Sequence, residues 1–60
     1  MSIFVIDDHP LMREAVVMLL RRLRGSATQV VELERLASVS KAIAEHGEPE
    51  LVCLDLKLPD

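Results

Sequence analysis

The stretch Leu51-Val52-Cys53-Leu54-Asp55-Leu56, with Lys57-Leu58-Pro59-Asp60 behind it, decides how the rest of the chain is read. Four consecutive apolar residues, with the turn formers Gly47 and Pro49 upstream, predict a strand buried on both faces, as in a parallel sheet. That run ends on a carboxylate. Burying an isolated charge is costly, so Asp55 is expected at the carboxyl end of the strand, where a cation or water reaches it. Near the start of the chain, Ile3-Phe4-Val5-Ile6 is a second apolar run with the same kind of ending, Asp7 and Asp8. Placed side by side and parallel, about 4.8 Å apart, the two runs gather three carboxylates at one sheet edge. Such a cluster repels itself and calls for a divalent cation.

The segments between these runs alternate in kind. Pro10 suits the first turn of a helix, where its missing N–H has no partner in any case, and Asp8 or His9 can cap it. Leu11, Ala15, Val16, Leu19, Leu20 and Leu23 recur at helical spacing and form the expected buried stripe, with Arg13, Glu14, Arg21, Arg22 and Arg24 toward water. Val17 and Met18 widen the apolar face, as flanking core or as an edge for partner contact. Gly25 ends the helix. From Gln29 to Glu34 the second half alternates polar and apolar, the pattern of an outer strand. Ser38 is placed to cap a short helix that carries Val39, Ala42, Ile43 and His46 on one side and closes at Gly47 and Pro49. His46 reads as a capping or surface residue rather than a ligand. The expected order is therefore strand 2–6, helix 10–24, strand 29–34, helix 39–46 and strand 51–55. Helices between strands impose a parallel sheet. The acidic ends put the first and third strands together with the second outside, order 2-1-3, and ligands bind where the strand order reverses.

Composition narrows the functional classes. Sixty residues make one small domain, able to bury roughly 60% of its unfolded surface, and with Phe4 as the one aromatic residue its core is aliphatic. A net charge of −3 argues against a nucleic-acid surface, because phosphate contacts need clustered cations. Arg21, Arg22 and Arg24 do cluster, but at a helix end where they complement the dipole. Cys53 is the only cysteine, so no internal disulfide forms, and inside an apolar strand it reads as a small core residue rather than a reactive thiol. No basic segment precedes the first apolar run, and two aspartates interrupt it. Neither a signal peptide nor a membrane span fits, and a reducing cytoplasm is the expected setting.

Taken together, Ile3-Phe4-Val5-Ile6-Asp7-Asp8-His9-Pro10 and Leu51-Val52-Cys53-Leu54-Asp55-Leu56-Lys57-Leu58-Pro59 resemble the receiver domain of bacterial two-component response regulators. The Asp-Asp-His-Pro opening is most similar to the subgroup with a LuxR/NarL-type helix-turn-helix output. The resemblance implies a flavodoxin-like (CheY-like) α/β sheet with helices on both faces. It implies that Asp55 is the phosphoacceptor, attacking the phosphohistidine of a sensor histidine kinase with Mg²⁺ present. Asp7 and Asp8 match the family's acidic pair that positions Mg²⁺. Lys57 matches the position that gives the metal a main-chain carbonyl, and Pro59 the proline that shapes the loop after the acceptor. The match covers the whole chain but only the N-terminal half of the family's domain. The family's later Ser or Thr, its Lys and its switch aromatic are expected beyond Asp60. A phosphoacceptor signalling module is thus implied, not an enzyme, controlling an output domain for DNA-binding transcription regulation that these residues do not include. On its own the fragment is expected to bind Mg²⁺ weakly, accept phosphate poorly, and self-associate through the unpaired third strand and exposed apolar faces.

Three other readings compete. A Mg²⁺-dependent phosphohydrolase with an aspartyl nucleophile would place a second aspartate two residues after Asp55, where Lys57 stands. A transition-metal site of Asp7, Asp8 and His9 would need adjacent residues to face one ion, and His9 before Pro10 reads instead as loop or cap. An interaction module with an incidental acidic rim would show no effect of Mg²⁺ on stability.

Overall fold

A run of four apolar residues needs cover on both sides, and Ile3-Phe4-Val5-Ile6 obtains it at the centre of the sheet. The computed structural model describes residues 2–25 and 27–57. In chain order these form β1 (Ser2–Ile6), α1 (Pro10–Arg24), β2 (Gln29–Leu33), a 3₁₀ turn (Leu36–Ser38), α2 (Val39–His46) and β3 (Leu51–Leu54). The sheet has the order β2-β1-β3, and both pairings are parallel. This is the flavodoxin-like β-α-β-α-β arrangement, with the acid-tipped first and third strands adjacent and the second outside.

Alternation along β1 assigns the two faces. Ile3 and Val5 pack with Val17 of α1, and Val16, Leu20, Val30 and Cys53 close around them. Phe4 and Ile6 point the other way, in register with Val31 and Leu33 of β2. That face carries α2, whose Ala42 is buried and whose His46 ring meets the Gln29 side-chain amide at 3.2 Å. Ile3 and Phe4 are completely buried, Val5 and Ile6 nearly so, and each such side chain contributes about 1.5–3 kcal/mol of gross burial. Gly25 and Gly47 end the two helices at φ +83° and +81°, where an L side chain is strained. Their N–H groups donate to Arg21 and Ile43 carbonyls.

Several details depart from the sequence expectation. β3 is not buried on both faces: Leu51, Val52 and Leu54 are each nearly half exposed, because β3 has β1 on one side and no strand on the other among the described residues. The fully covered strand is β1. On α1 the buried line runs through Val17, with Val16 and Leu20 partly covered, while Leu11 is 83% and Leu23 72% exposed and Met18 and Leu19 are also open. Val17 is therefore core, not a flank. A three-stranded sheet is narrow, so it covers one strip of the helix and leaves the leucine stripe beside it bare. Arg13 is not turned to water either; it lies against the sheet, bonded to Glu32. Ser38 makes no side-chain cap bond, since the 3₁₀ turn leads directly into α2. β2 and β3 each stop one residue short of the expected ends. Among the described residues no helix is long and apolar enough to cross a membrane.

Chemical denaturation of paired variants separates the two helix faces. Val17→Ala is expected to cost on the order of 2 kcal/mol, and Leu19→Ala less than about 0.5 kcal/mol, as at an exposed site. The reverse order would place the leucine stripe against the sheet after all.

Candidate metal centre

The backbone ladder brings the acids together. Each acid-bearing residue continues its strand's pairing by one step: the Asp55 N–H donates to the Ile6 carbonyl at 3.0 Å, and the Asp7 N–H donates to the Leu33 carbonyl at 3.0 Å. Because β1 and β3 run the same way, both carboxylates emerge at the carboxyl-end rim, where strand order reverses. The chain then bends at Asp8. Asp7 Oδ1 accepts the His9 backbone N–H at 2.9 Å, which folds three consecutive residues back over one point.

His9 completes the cluster. It occupies the cap position of α1 but makes no side-chain cap bond. Its ring turns toward the acids, with Nδ1 at 2.9 Å from Asp7 Oδ1, 3.0 Å from Asp8 Oδ1 and 3.2 Å from Asp55 Oδ2. His9 thus stands at the expected cap position, with its side chain turned to the acids rather than to the helix N–H groups. Adjacent residues point apart on an extended strand, but not through a bend closed by a side-chain-to-backbone hydrogen bond. A carboxylate at i and an N–H at i+2 is the signal in the sequence that could have disclosed this turn.

The surroundings fix each acid differently. The Asp7 side chain is only 10% exposed and Asp55 18%, whereas Asp8 and His9 are open. Lys57 donates its backbone N–H to Asp55 Oδ1 at 3.0 Å, leaving Oδ2 buried without a hydrogen-bond partner among the described residues. The nearest ring nitrogen, His9 Nδ1, lies 3.2 Å away and forms its hydrogen bond with Asp7 Oδ1 instead. Arg13, which sequence periodicity turns toward solvent, donates from its guanidinium to the Asp7 carbonyl at 2.9 Å and to Glu32 Oε1 at 3.2 Å. It ties the first turn of α1 to the rim and acts on the cluster by positioning Asp7. Pro59 lies outside the described residues.

One ligand atom from each of Asp7, Asp8, His9 and Asp55 lies within 4.8 Å of all the others. The cluster opens into a depression of about 650 Å³ lined also by Pro10, Leu11, Met12 and Lys57. Three carboxylates with an unpaired buried oxygen fit a hard divalent cation in donor type. The charges also shift one another. Asp7 is held below the usual carboxylate value, first by the His9 N–H, with partial burial opposing and the ring adding to the effect. His9 is raised above its ordinary 6.5, first by its hydrogen bond with Asp7 and then by the Asp8 charge.

The fold and site together define a class: a parallel α/β sheet of order 2-1-3 with an acid and imidazole cluster where its two acid-tipped strands end. No family model, curated protein or solved structure matches the chain.

Linkage gives the metal-free cluster a definite pH profile. His9, with its raised pKa, contributes stability that is complete below 6.5 and disappears as pH climbs through its folded value. Asp7, with its lowered pKa, contributes stability present above 3.8 and lost as pH falls through its folded value. In chelator, the urea midpoint is expected to fall as pH rises from about 6 to 8, and His9→Ala to abolish that fall. A slope that survives the substitution would contradict the assignment.

Proposed function

We propose that this chain is the phosphoacceptor part of a two-component receiver, with Asp55 taking a phosphoryl group from a sensor histidine kinase. The observation that carries the reading is the buried, unpaired Oδ2 of Asp55 beside Asp7 and Asp8 at the strand-order reversal. Lys57 holds Oδ1, so Asp55 presents one oxygen in a fixed direction. In the transfer, an Asp55 carboxylate oxygen forms a bond to phosphorus while the P–N bond of the donor phosphohistidine breaks. The electron pair leaves on the donor's imidazole nitrogen, which takes its proton from solvent. Asp7, Asp8, Asp55 and the Lys57 main-chain carbonyl would hold Mg²⁺, which when bound neutralises the acids and the phosphoryl oxygens.

The result is a stoichiometric switch rather than a turnover enzyme, set in the cytoplasm and coupled to a DNA-binding output elsewhere. The lining among the described residues offers no hydroxyl to the phosphoryl oxygens. Losing one preorganised donor commonly costs about 10²–10³ in rate, so the described residues on their own are expected to take label slowly. The half-exposed Leu51, Val52 and Leu54, on the edge of β3 that has no strand beside it among the described residues, favour self-association through that strand and the bare face of α1. A monomeric mass by light scattering at micromolar concentration would rule out such pairing.

The reading is tested by thermal unfolding with Mg²⁺ and by labelling with a small acyl-phosphate donor. With a Kd of about 1 mM, Mg²⁺ at about 10 mM adds about 1.4 kcal/mol. Asp55→Asn and Asp8→Asn are expected to abolish that gain, and label is expected to build slowly on Asp55 alone. No effect of Mg²⁺ on a folded chain, or label spread over other acids, would overturn the proposal.

A further inference from the structure

We propose that the outer face of α1 is a contact surface for a second copy of this chain, the two α1 helices packing antiparallel about a twofold axis. This rests on the self-association proposed above and makes it specific; it does not depend on Asp55 accepting phosphate.

Helical geometry defines the face. Val16, Val17 and Leu20 turn one side of α1 to the sheet, and Arg13 and Arg24 extend from it, each bonded to a glutamate. Away from the sheet, Met12, Ala15, Met18, Leu19 and Leu23 are all exposed. At 3.6 residues per turn they span about 140° of the circumference. An apolar stripe of that width is what a helix buries, and α1 carries one on each side. At the middle of the outer stripe, Ala15, Met18, Leu19 and Arg22 line a depression of about 340 Å³. Their spacing, i, i+3, i+4 and i+7, is that of the four residues that form the hole for a side chain of a facing helix.

Charge selects the occupant and its direction. Glu14 and Arg21 stand along one edge of this face, and Met12 and Leu23 along the other. Both charged residues are exposed, and among the described residues the ion-paired arginines are Arg13 and Arg24 instead. Glu14 and Arg21 lie seven residues apart, beyond the i+4 spacing at which side chains of one helix meet. In an antiparallel pair, with the twofold axis level with Val17 and Met18, like edges meet. Glu14 of each copy then faces Arg21 of the other, and Met12 faces Leu23. A parallel pair would set the charged edge of one helix against the apolar edge of the other. Because a twofold contact repeats every pair, opposite charges equidistant from one point make the face complementary to itself. The contact is one fifteen-residue helix long, about 22 Å, so it falls below the roughly 1,200 Å² of a stable interface and dissociates on dilution.

Sedimentation equilibrium over a micromolar concentration series tests this on the sixty-residue chain, on Glu14→Arg, on Arg21→Glu and on an equimolar mixture of the two variants, with circular dichroism to follow folding. Each single variant turns two attractions into two repulsions, and its dimer is expected to weaken at least about tenfold. The mixture is expected to recover a one-to-one dimer of wild-type strength, because each variant supplies the charges that the other has lost. The double variant Glu14→Arg/Arg21→Glu, which exchanges the charges within one chain, is expected to dimerise as the wild type does. A monomeric wild-type chain, single variants that dimerise undiminished, as contact through the β3 edge would produce, or a mixture that stays monomeric would each overturn the proposal. None of these results bears on the phosphoacceptor reading, which stands or falls on the Mg²⁺ and labelling experiments.

Discussion

Everything in this small structure depends on β1 being paired on both edges and covered on both faces. Its carbonyls and amides are shared between β2 and β3, and its four apolar side chains are the best buried in the molecule. α1 reaches the sheet through Val17 and its neighbours and α2 through Ala42, and among the described residues β3 pairs with β1 alone. The site inherits its precision from the same strand, because Asp7 and Asp55 are each placed one hydrogen bond beyond a β1 pairing.

That placement carries an electrostatic cost. Parallel neighbours leave their carboxyl ends at one rim, so two acid-tipped strands cannot avoid bringing their charges together. Asp55 Oδ2 is buried without a hydrogen-bond partner among the described residues. Within the chain, the relief comes from the His9 ring and from backbone N–H groups of His9 and Lys57. A divalent cation would relieve the same three acids more completely.

The parts of this arrangement that were legible in the sequence are those carried by uninterrupted patterns. Ile3 to Ile6 and Leu51 to Leu54 are apolar runs too short to be helices, and their shared acidic endings favour the order 2-1-3. Proline at position 10 and glycine at positions 25 and 47 bound the helices for backbone reasons that no tertiary context alters. What escaped depends on how wide the sheet is and how the chain bends. Leu19 and Val17 are equally apolar, so spacing alone could not say which would find the sheet. Arg13 is long enough to cross from helix to rim, a reach that periodicity does not encode. His9 joins Asp7 and Asp8 through a single bend.

The central claim is that the carboxyl ends of β1 and β3 are neighbours in a parallel sheet. Through-hydrogen-bond scalar couplings in solution test it directly, because they identify which carbonyl each amide donates to. The account predicts a coupling from the Asp55 amide to the Ile6 carbonyl and one from the Asp7 amide to the Leu33 carbonyl. An Asp55 amide coupled to any other carbonyl, or to none in a chain that is otherwise folded, would contradict it.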